Sequence, residues 1–224
     1  MVTGTWYQGR DRGPRMKRPT VRLGGNPAHT WGKVDNDPSP LKEEIRRQFL
    51  PESASVLDLH CGLGKMYREA YEGRVAYYHG IDNTKVFDPR ICTIQDNSAY
   101  VMANDISRYD VFDIDAYGCP WQLFYRVMQK AKQPRITAFL TDGAVIPRSS
   151  VSSHITLLQS AIEHLPRSFA VPGLRRWYIP MVATMLRDVE KRFGYRTVRA
   201  SWTLNEKGTV YFWVVILDSV RETS

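Results

Sequence analysis

Four acidic residues stand where predicted β-strands end, at positions that would bring them to one edge of a sheet. Asp58 closes the apolar run SVLDL, Asp82 closes VAYYHGID, and Asp113 and Asp115 lie at the end of DVFDID. The carboxyl ends of parallel strands form the edge at which open α/β sheets bind ligands. The pattern therefore predicts a binding site built from strand-end carboxylates.

A glycine-containing turn follows the first of these strands and leads into a predicted helix. Glycine allows the backbone to approach a ligand closely, so we predict that Asp58, Cys61, Gly62 and Gly64 contact a cofactor. The dinucleotide fingerprint GxGxxG is incomplete because its third glycine position is Tyr67. A tight strand–helix turn without any ligand is the alternative.

The next two strand ends supply polar groups that could hold a nucleoside. Asp82 follows Asp58 by 24 positions, and an acid at the end of the second strand commonly binds ribose hydroxyls. Such an acid suits the ribose of NAD and that of S-adenosylmethionine equally. Asp96 and Asn97, after the third strand, are predicted to bind an adenine ring. The alternative is an Asx turn or a helix cap.

The segment VFDIDAYGCPW carries the most specific chemistry in the chain. A carboxylate, an aromatic ring and a free backbone carbonyl follow one another at a strand end, and together they could hold a planar amine. We predict Asp115 and Tyr117 as catalytic residues, the first accepting protons of the amine and the second stacking on its ring. Asp113 is predicted to contact the cofactor. A capped turn with Tyr117 as packing is the alternative.

Strands alternate with helices around these segments. A helix is predicted from Pro40 to Pro51, with an apolar face of Leu41, Ile45 and Phe49. Strands are predicted at 55–59, 75–82, 90–95, 110–115 and 135–142, with helices at 66–71, 121–132, 155–165 and 178–193 and a terminal hairpin of 196–204 and 209–217. The pattern indicates an α/β fold with a doubly wound, mostly parallel seven-stranded sheet and a C-terminal β-hairpin.

The segments VLDLHCGLG, GID and DIDAYG resemble the class I S-adenosylmethionine-dependent methyltransferases, whose fold is Rossmann-like. Within that class, DIDAYGCP and LTDGAV resemble the tRNA guanine dimethyltransferases. The resemblance implies S-adenosylmethionine as cofactor and a flat exocyclic amine as acceptor, with Asp115 and Tyr117 facing the amine and Asp142 near the site. Ala116 stands where that family has proline, and Cys119 where it has serine.

The charge of the chain is concentrated at its N-terminus. The net charge is +8, and residues 1–22 contribute +5 through six basic residues and one acidic residue. We divide the chain into a basic arm and loop, residues 1–40, and a methyltransferase domain, residues 41–224. Basic arms of this kind commonly contact phosphates, which predicts a nucleic-acid partner, RNA in preference to DNA. A solubilising tail is the alternative.

Several classes of protein are disfavoured by the composition. No apolar run approaches the ~20 residues that span a bilayer, so no membrane association is predicted, and a reducing cytoplasm is expected. The three cysteines form no CxxC pair and the histidines lack metal-ligand spacing, so no disulfide framework and no metal site are predicted.

Together these features predict an S-adenosylmethionine-dependent methyltransferase that acts on an exocyclic amino group of a nucleobase. The alternatives are a DNA amino-methyltransferase and a catalytically silent, methyltransferase-like nucleic-acid-binding subunit. A protein partner could supply substrate recognition. An NAD-linked enzyme is disfavoured by Tyr67.

Overall fold

The protein is described from a computed structural model. The structure describes residues 40–84, 86–116, 119–143, 171–205 and 210–221. The predicted basic arm, the predicted helix at 155–165, Tyr117 and the turn at 206–209 lie outside these ranges.

The described residues form a seven-stranded sheet in the order β3-β2-β1-β4-β5-β7-β6. β1 to β5 pair in parallel, and β7 runs antiparallel to both β5 and β6. The strands are β1 (Ser55–Asp58), β2 (Tyr77–Asp82), β3 (Cys92–Ile94), β4 (Val111–Ile114), β5 (Arg135–Asp142), β6 (Tyr195–Leu204) and β7 (Tyr211–Ser219). The predicted doubly wound sheet with a C-terminal hairpin is confirmed.

Helices cover both faces of the sheet. They are α1 (Pro40–Phe49), a short π-helix (Tyr67–Tyr71), α2 (Asn97–Ala103), α3 (Trp121–Lys130) and α4 (Val171–Phe193). On one face, Val56, Val111 and Phe139 pack with the π-helix and α1. On the other, Leu57 and Phe112 pack with α2, α3 and α4. The residues separate in this way because successive side chains along a strand point to opposite faces of the sheet.

Helix α4 differs from its predicted bounds, and helix α2 was not predicted. α4 begins at Val171 rather than near residue 178 and continues through Pro180, although proline removes a backbone donor from a helix interior. α2 begins directly after Asp96, whose carboxylate accepts a hydrogen bond from Ala99 N at 2.8 Å. Of the two interpretations of this segment, the helix cap is the one that the structure shows for Asp96.

Helix α1 buries a charged residue as well as its predicted apolar face. Leu41, Ile45 and Phe49 are half-buried, as their spacing predicts. Arg46 is more deeply buried than any of them, at 1% exposure. A buried guanidinium is costly unless it is paired, so its partner identifies a site in the interior of the fold.

Candidate active site

The carboxyl edge of the parallel strands gathers the predicted site residues, as expected. Asp58 and Asp113 are directly opposite each other on neighbouring strands. Asp82 ends β2, and Asp115 follows β4 directly. These side chains differ in burial and in their hydrogen-bond partners. Successive side chains along a strand point to opposite faces of the sheet, so some enter the interior and others stay at the edge.

Asp113 lies in an internal network of hydrogen bonds. Its carboxylate accepts hydrogen bonds from Arg46 Nε at 2.6 Å, Arg46 Nη2 at 2.5 Å and Tyr71 OH at 2.5 Å, and its side chain is completely buried. Burial alone would lower the pKa of Arg46, but the Asp113 carboxylate outweighs it and raises that pKa. Both of its oxygens are bound within the fold, and the predicted contact of Asp113 with the cofactor stays a prediction.

Asp58 belongs to the same buried face. It is 1% exposed, and its oxygens accept hydrogen bonds from Tyr78 OH at 2.8 Å and from His60 N at 3.2 Å. Burial, and then the charge of Asp113, raise the pKa of Asp58 well above its ordinary value, against the opposing bond from Tyr78. Asp58 thus holds the start of the turn that follows β1, residues 60–64, which we call the glycine loop. The contact of Asp58 with a cofactor stays a prediction.

Asp82 holds the glycine loop from the neighbouring strand. Its carboxylate accepts a hydrogen bond from Gly62 N at 3.0 Å through one oxygen, and from Thr84 N and Oγ1 through the other. Gly62 has a φ of 51°, in the left-handed region that favours glycine. The structure thus brings Asp82 and Gly62 together at the position where a ribose is predicted to bind.

The side chain of Phe87 packs closely against Gly64, at the position where a ligand was predicted to approach the backbone. A Cβ on Gly64 would lie 2.3 Å from Cγ of Phe87, and Gly64 has a φ of 73°. Phe87 stacks on Tyr67, with ring centroids 5.1 Å apart. Tyr67 also contacts Tyr78, with centroids 4.6 Å apart. Gly64 is therefore needed for its backbone conformation and for this aromatic cluster, and its predicted contact with a cofactor stays a prediction.

Cys61 also faces inward. The Cys61 side chain is 5% exposed, and its thiol donates a hydrogen bond to Gly62 O at 3.9 Å. A Cβ on Gly80 would lie 2.8 Å from the Sγ atoms of Cys61 and Cys92. The backbone N–H of Cys61 donates to Ile81 O, and its carbonyl accepts a hydrogen bond from Gly64 N. The polar groups of Cys61 are thus bound within the fold, and its predicted contact with the cofactor stays a prediction.

Asn97 offers a buried acceptor at the end of the third strand. Its side chain is 8% exposed, and its Oδ1 atom has no hydrogen-bond partner among the described residues. An acceptor left unpaired in the interior costs about 1–3 kcal/mol, and an exocyclic amine of an adenine ring would satisfy it. Among the predicted cofactor residues, Asn97 and Asp82 therefore fit a bound adenosine.

Asp115 is the strand-end acid that remains partly exposed. Its side chain is 27% exposed and forms a salt bridge with Lys42 of α1. Burial opposes ionisation of Asp115, but Lys42 and then Arg46 outweigh it and lower its pKa below the ordinary value. An ionised carboxylate at the strand edge suits the predicted role of accepting hydrogen bonds from an amine. Tyr117, its predicted partner, lies outside the described residues.

Asp142, which the resemblance places near the site, ends β5 at the same edge but is completely buried. Its Oδ2 atom accepts hydrogen bonds from Trp121 Nε1 at 2.8 Å and Tyr178 OH at 2.6 Å. Trp213 Nε1 donates to the same tyrosine oxygen at 3.1 Å. Burial, and then Asp142, raise the pKa of Tyr178 well above its ordinary value. This network ties α3 and α4 to the sheet.

The sequence analysis missed the residues that hold these acids. They are Lys42 and Arg46 on α1, Tyr71 on the π-helix, Tyr78 on β2 and Tyr178 on α4. One signal was available: Lys42 and Arg46 are four residues apart and share a helix face. Their partners lie more than sixty residues away, so spacing alone does not identify them.

A surface cavity of about 280 Å³ lies at the opposite edge of the sheet. Its lining residues include Pro51, Arg108, Tyr109, Gln133 and Arg135. None of the predicted site residues within the described ranges lines it. We assign it no part in the site.

Comparison with known proteins finds similarity in structure only. No family model matches the chain, and no curated protein matches its sequence. A protein described as a hemolysin from Lactococcus lactis has 12% identity and a TM-score of 0.53, over 80% of this chain and 86% of that chain.

Two further solved structures are methyltransferases or were solved with a methyltransferase cofactor. TYW2 from M. jannaschii, in complex with AdoMet, has 9% identity and a TM-score of 0.48, covering 80% of this chain and 75% of that chain. The 1,6-didemethyltoxoflavin-N1-methyltransferase of Burkholderia thailandensis, with bound S-adenosylhomocysteine, has 16% identity and a TM-score of 0.48, covering 81% and 78%. At these identities the likeness concerns the fold alone, and the strand order confirms the predicted Rossmann-like, seven-stranded sheet with its C-terminal hairpin.

The described part of the chain contains neither a metal-binding cluster nor a membrane-spanning helix. None of its groups of histidine, cysteine and acidic side chains could hold a metal ion. None of the helices within the described ranges has the length and apolar character that crossing a bilayer requires.

Proposed function

We propose that the protein is an S-adenosylmethionine-dependent methyltransferase that methylates an exocyclic amino group of a nucleobase, in RNA rather than DNA. The observation that carries the proposal is the partly exposed, ionised Asp115 at the carboxyl end of β4. It shares the sheet edge with the glycine loop held by Asp82 and with the unpaired acceptor of Asn97. The resemblance of the DIDAYGCP segment to tRNA guanine dimethyltransferases supports an amine as acceptor.

The cofactor would supply an electrophilic methyl group bound to a sulfonium. Asp82 would accept hydrogen bonds from its ribose hydroxyls, and Asn97 Oδ1 would accept one from its adenine amine. Asp115 would accept a hydrogen bond from the acceptor amine and orient its nitrogen lone pair. As the acceptor nitrogen bonds to the methyl carbon, the bond from that carbon to sulfur would break and its electron pair would stay on sulfur, which leaves a neutral thioether. The nitrogen would carry the positive charge, which the nearby carboxylate would stabilise. One proton would then pass from the nitrogen to solvent, so the product would be the neutral methylated amine.

The experiment that tests the proposal is single-turnover methyl transfer to separate pools of RNA, DNA and protein. The purified full-length chain is incubated with cofactor carrying a labelled methyl group. Label in the amino groups of RNA bases supports the proposal, and label in DNA instead favours the DNA amino-methyltransferase. Cofactor binding without transfer to any pool would favour the catalytically silent subunit, for which Ala116 in place of the family proline is the motivating feature.

We expect Asp82→Ala to weaken cofactor binding by about 1.5–3 kcal/mol, because bonds to a charged acceptor are lost. The substitution also releases Gly62 N from the carboxylate, which adds to the loss. Calorimetric titration with S-adenosylmethionine measures the effect. Asp105→Ala is the matched control, since this acid is exposed and follows α2 at a distance from the loop. Equal affinities in the two variants would remove Asp82 from the cofactor site.

We expect removal of residues 1–22 to flatten the dependence of nucleic-acid affinity on salt. Each phosphate that a lysine or arginine neutralises releases counterions, so a loss of +5 in net charge reduces the slope of log affinity against log salt. The melting temperature should hardly change. Fluorescence anisotropy with RNA and DNA oligonucleotides measures the slope. An unchanged slope would identify this arm as a solubilising tail.

A further inference from the structure

Helix α1 presents two cations to the end of β4, one helical turn apart. Lys42 pairs with Asp115, and Arg46 pairs with Asp113. The acids are two residues apart, so their side chains leave the same face of the sheet. Arg46 Nη1 also donates to Lys42 O at 2.9 Å, which links the two cations through the helix backbone. We call Lys42 and Arg46 together the α1 clamp.

The two halves of the clamp have different surroundings. The Arg46 and Asp113 side chains are 2% and 0% exposed, whereas those of Lys42 and Asp115 are 16% and 27% exposed. The inner pair is therefore sealed and structural. The outer pair lies at the edge of the sheet, where Asp115 remains within reach of a ligand.

We propose that Lys42 is the positioning residue of Asp115: its ammonium group keeps that carboxylate ionised and fixed at the edge of the sheet. The inference rests on the proposed function in one respect, namely that Asp115 faces the acceptor. The pairing of Lys42 with Asp115 stands independently of it. Arg46 holds the helix turn from which Lys42 extends, and so sets the position of the ammonium group.

The charges around Asp115 favour this assignment. From α1 it faces Lys42 and Arg46, which both favour its ionised form. Two further acids lie nearby, Asp113 on β4 and Asp58 on β1, and the charges of Asp113 and then Asp115 raise the pKa of Asp58. Arg46 is already committed to Asp113. Among the described residues, Lys42 is therefore the cation that pairs directly with Asp115.

The test uses the full-length chain and three variants. Lys42→Met removes the charge and retains most of the length of the side chain, and Lys42→Arg retains the charge. Lys132→Met removes one lysine charge from an exposed position before β5, at the opposite edge of the sheet. Carbon-13 NMR of labelled aspartate carboxyls follows titration, and the Asp115 resonance is identified by its absence from Asp115→Asn.

We expect the apparent pKa of Asp115 to rise by about 1–3 units in Lys42→Met, the usual effect of a neighbouring opposite charge. Lys42→Arg should restore it, and Lys132→Met should leave it unchanged. The sign follows from the charge: losing a cation disfavours the carboxylate, so protonation begins at higher pH. The acidic limb of the single-turnover methyl-transfer profile should move upward by the same amount.

An unchanged Asp115 titration in Lys42→Met would overturn the inference, because the salt bridge would then be an incidental surface pair. A shifted titration without any methyl transfer by the wild type would sustain the positioning role of Lys42 and contradict the proposed function. A shifted titration with an unmoved pH–rate profile would contradict the link between Asp115 and the reaction. The two proposals can therefore fail separately.

Discussion

Asp115→Asn should lower the single-turnover rate of methyl transfer by about a hundredfold or more. The substitution preserves the shape of the side chain and removes its negative charge. Asp115 would stabilise the positive charge that develops on the acceptor nitrogen, and groups that act on developing charge have effects of this size. Binding of the acceptor should change less than turnover. Rapid-quench measurement with saturating cofactor on the nucleic acid that the wild type accepts gives the rate.

The matched control is Asp105→Asn, which neutralises an exposed acid beyond the end of α2. This variant should retain the wild-type rate, and the cofactor affinity of both variants should equal that of the wild type. A normal rate in Asp115→Asn would move the catalytic group elsewhere on the edge. Asp142 would then be the next acid to test, since it ends the neighbouring strand.

Arg46→Met should lower the free energy of unfolding by about 3–5 kcal/mol, the usual cost of removing one partner of a buried ion pair. Asp113 would be left fully buried with Tyr71 as its remaining side-chain donor. Urea denaturation followed by circular dichroism measures the change. Double replacement of Arg46 and Asp113 by apolar residues should recover part of the loss, because no unpaired charge then remains.

Arg47→Met is the control for Arg46→Met, because Arg47 is the next residue and is 40% exposed. Its contacts with Glu43 and Glu69 lie at the surface, so its loss should cost less than about 1 kcal/mol. Arg46→Lys should fall between Arg46→Met and the wild type, since it keeps the charge and loses the paired bonds. Equal stability of Arg46→Met and Arg47→Met would contradict the assignment of the buried ion pair.

The architecture could be predicted because it depends on local patterns. Branched apolar runs bounded by turn residues predicted each strand, and the alternation with helices predicted the parallel order. The bounds of α1 follow from prolines at either end, Pro40 and Pro51. α4 was predicted too short because Pro180 opposes helix formation locally, while burial of Tyr178 and Met185 favours the continuous helix.

The site was predicted in outline and not in its contacts. Strand ends placed Asp58, Asp82 and Asp115 at one edge, which follows from topology alone. Whether a carboxylate there faces a ligand or the interior depends on what covers it. Arg46 lies 67 residues before Asp113, and no local pattern encodes that pairing. Likewise, no local pattern predicts that the thiols of Cys61 and Cys92 both lie against Gly80.

Calorimetric titration of the wild-type chain with S-adenosylmethionine, and in parallel with NAD, tests the central claim most directly. The loop held by Asp82 and the unpaired acceptor of Asn97 predict binding of S-adenosylmethionine with micromolar affinity. NAD should not bind, because Tyr67 occupies the third position of the dinucleotide fingerprint. Absence of S-adenosylmethionine binding by the folded protein would contradict the methyltransferase proposal. Tight binding of NAD would indicate an NAD-linked enzyme instead.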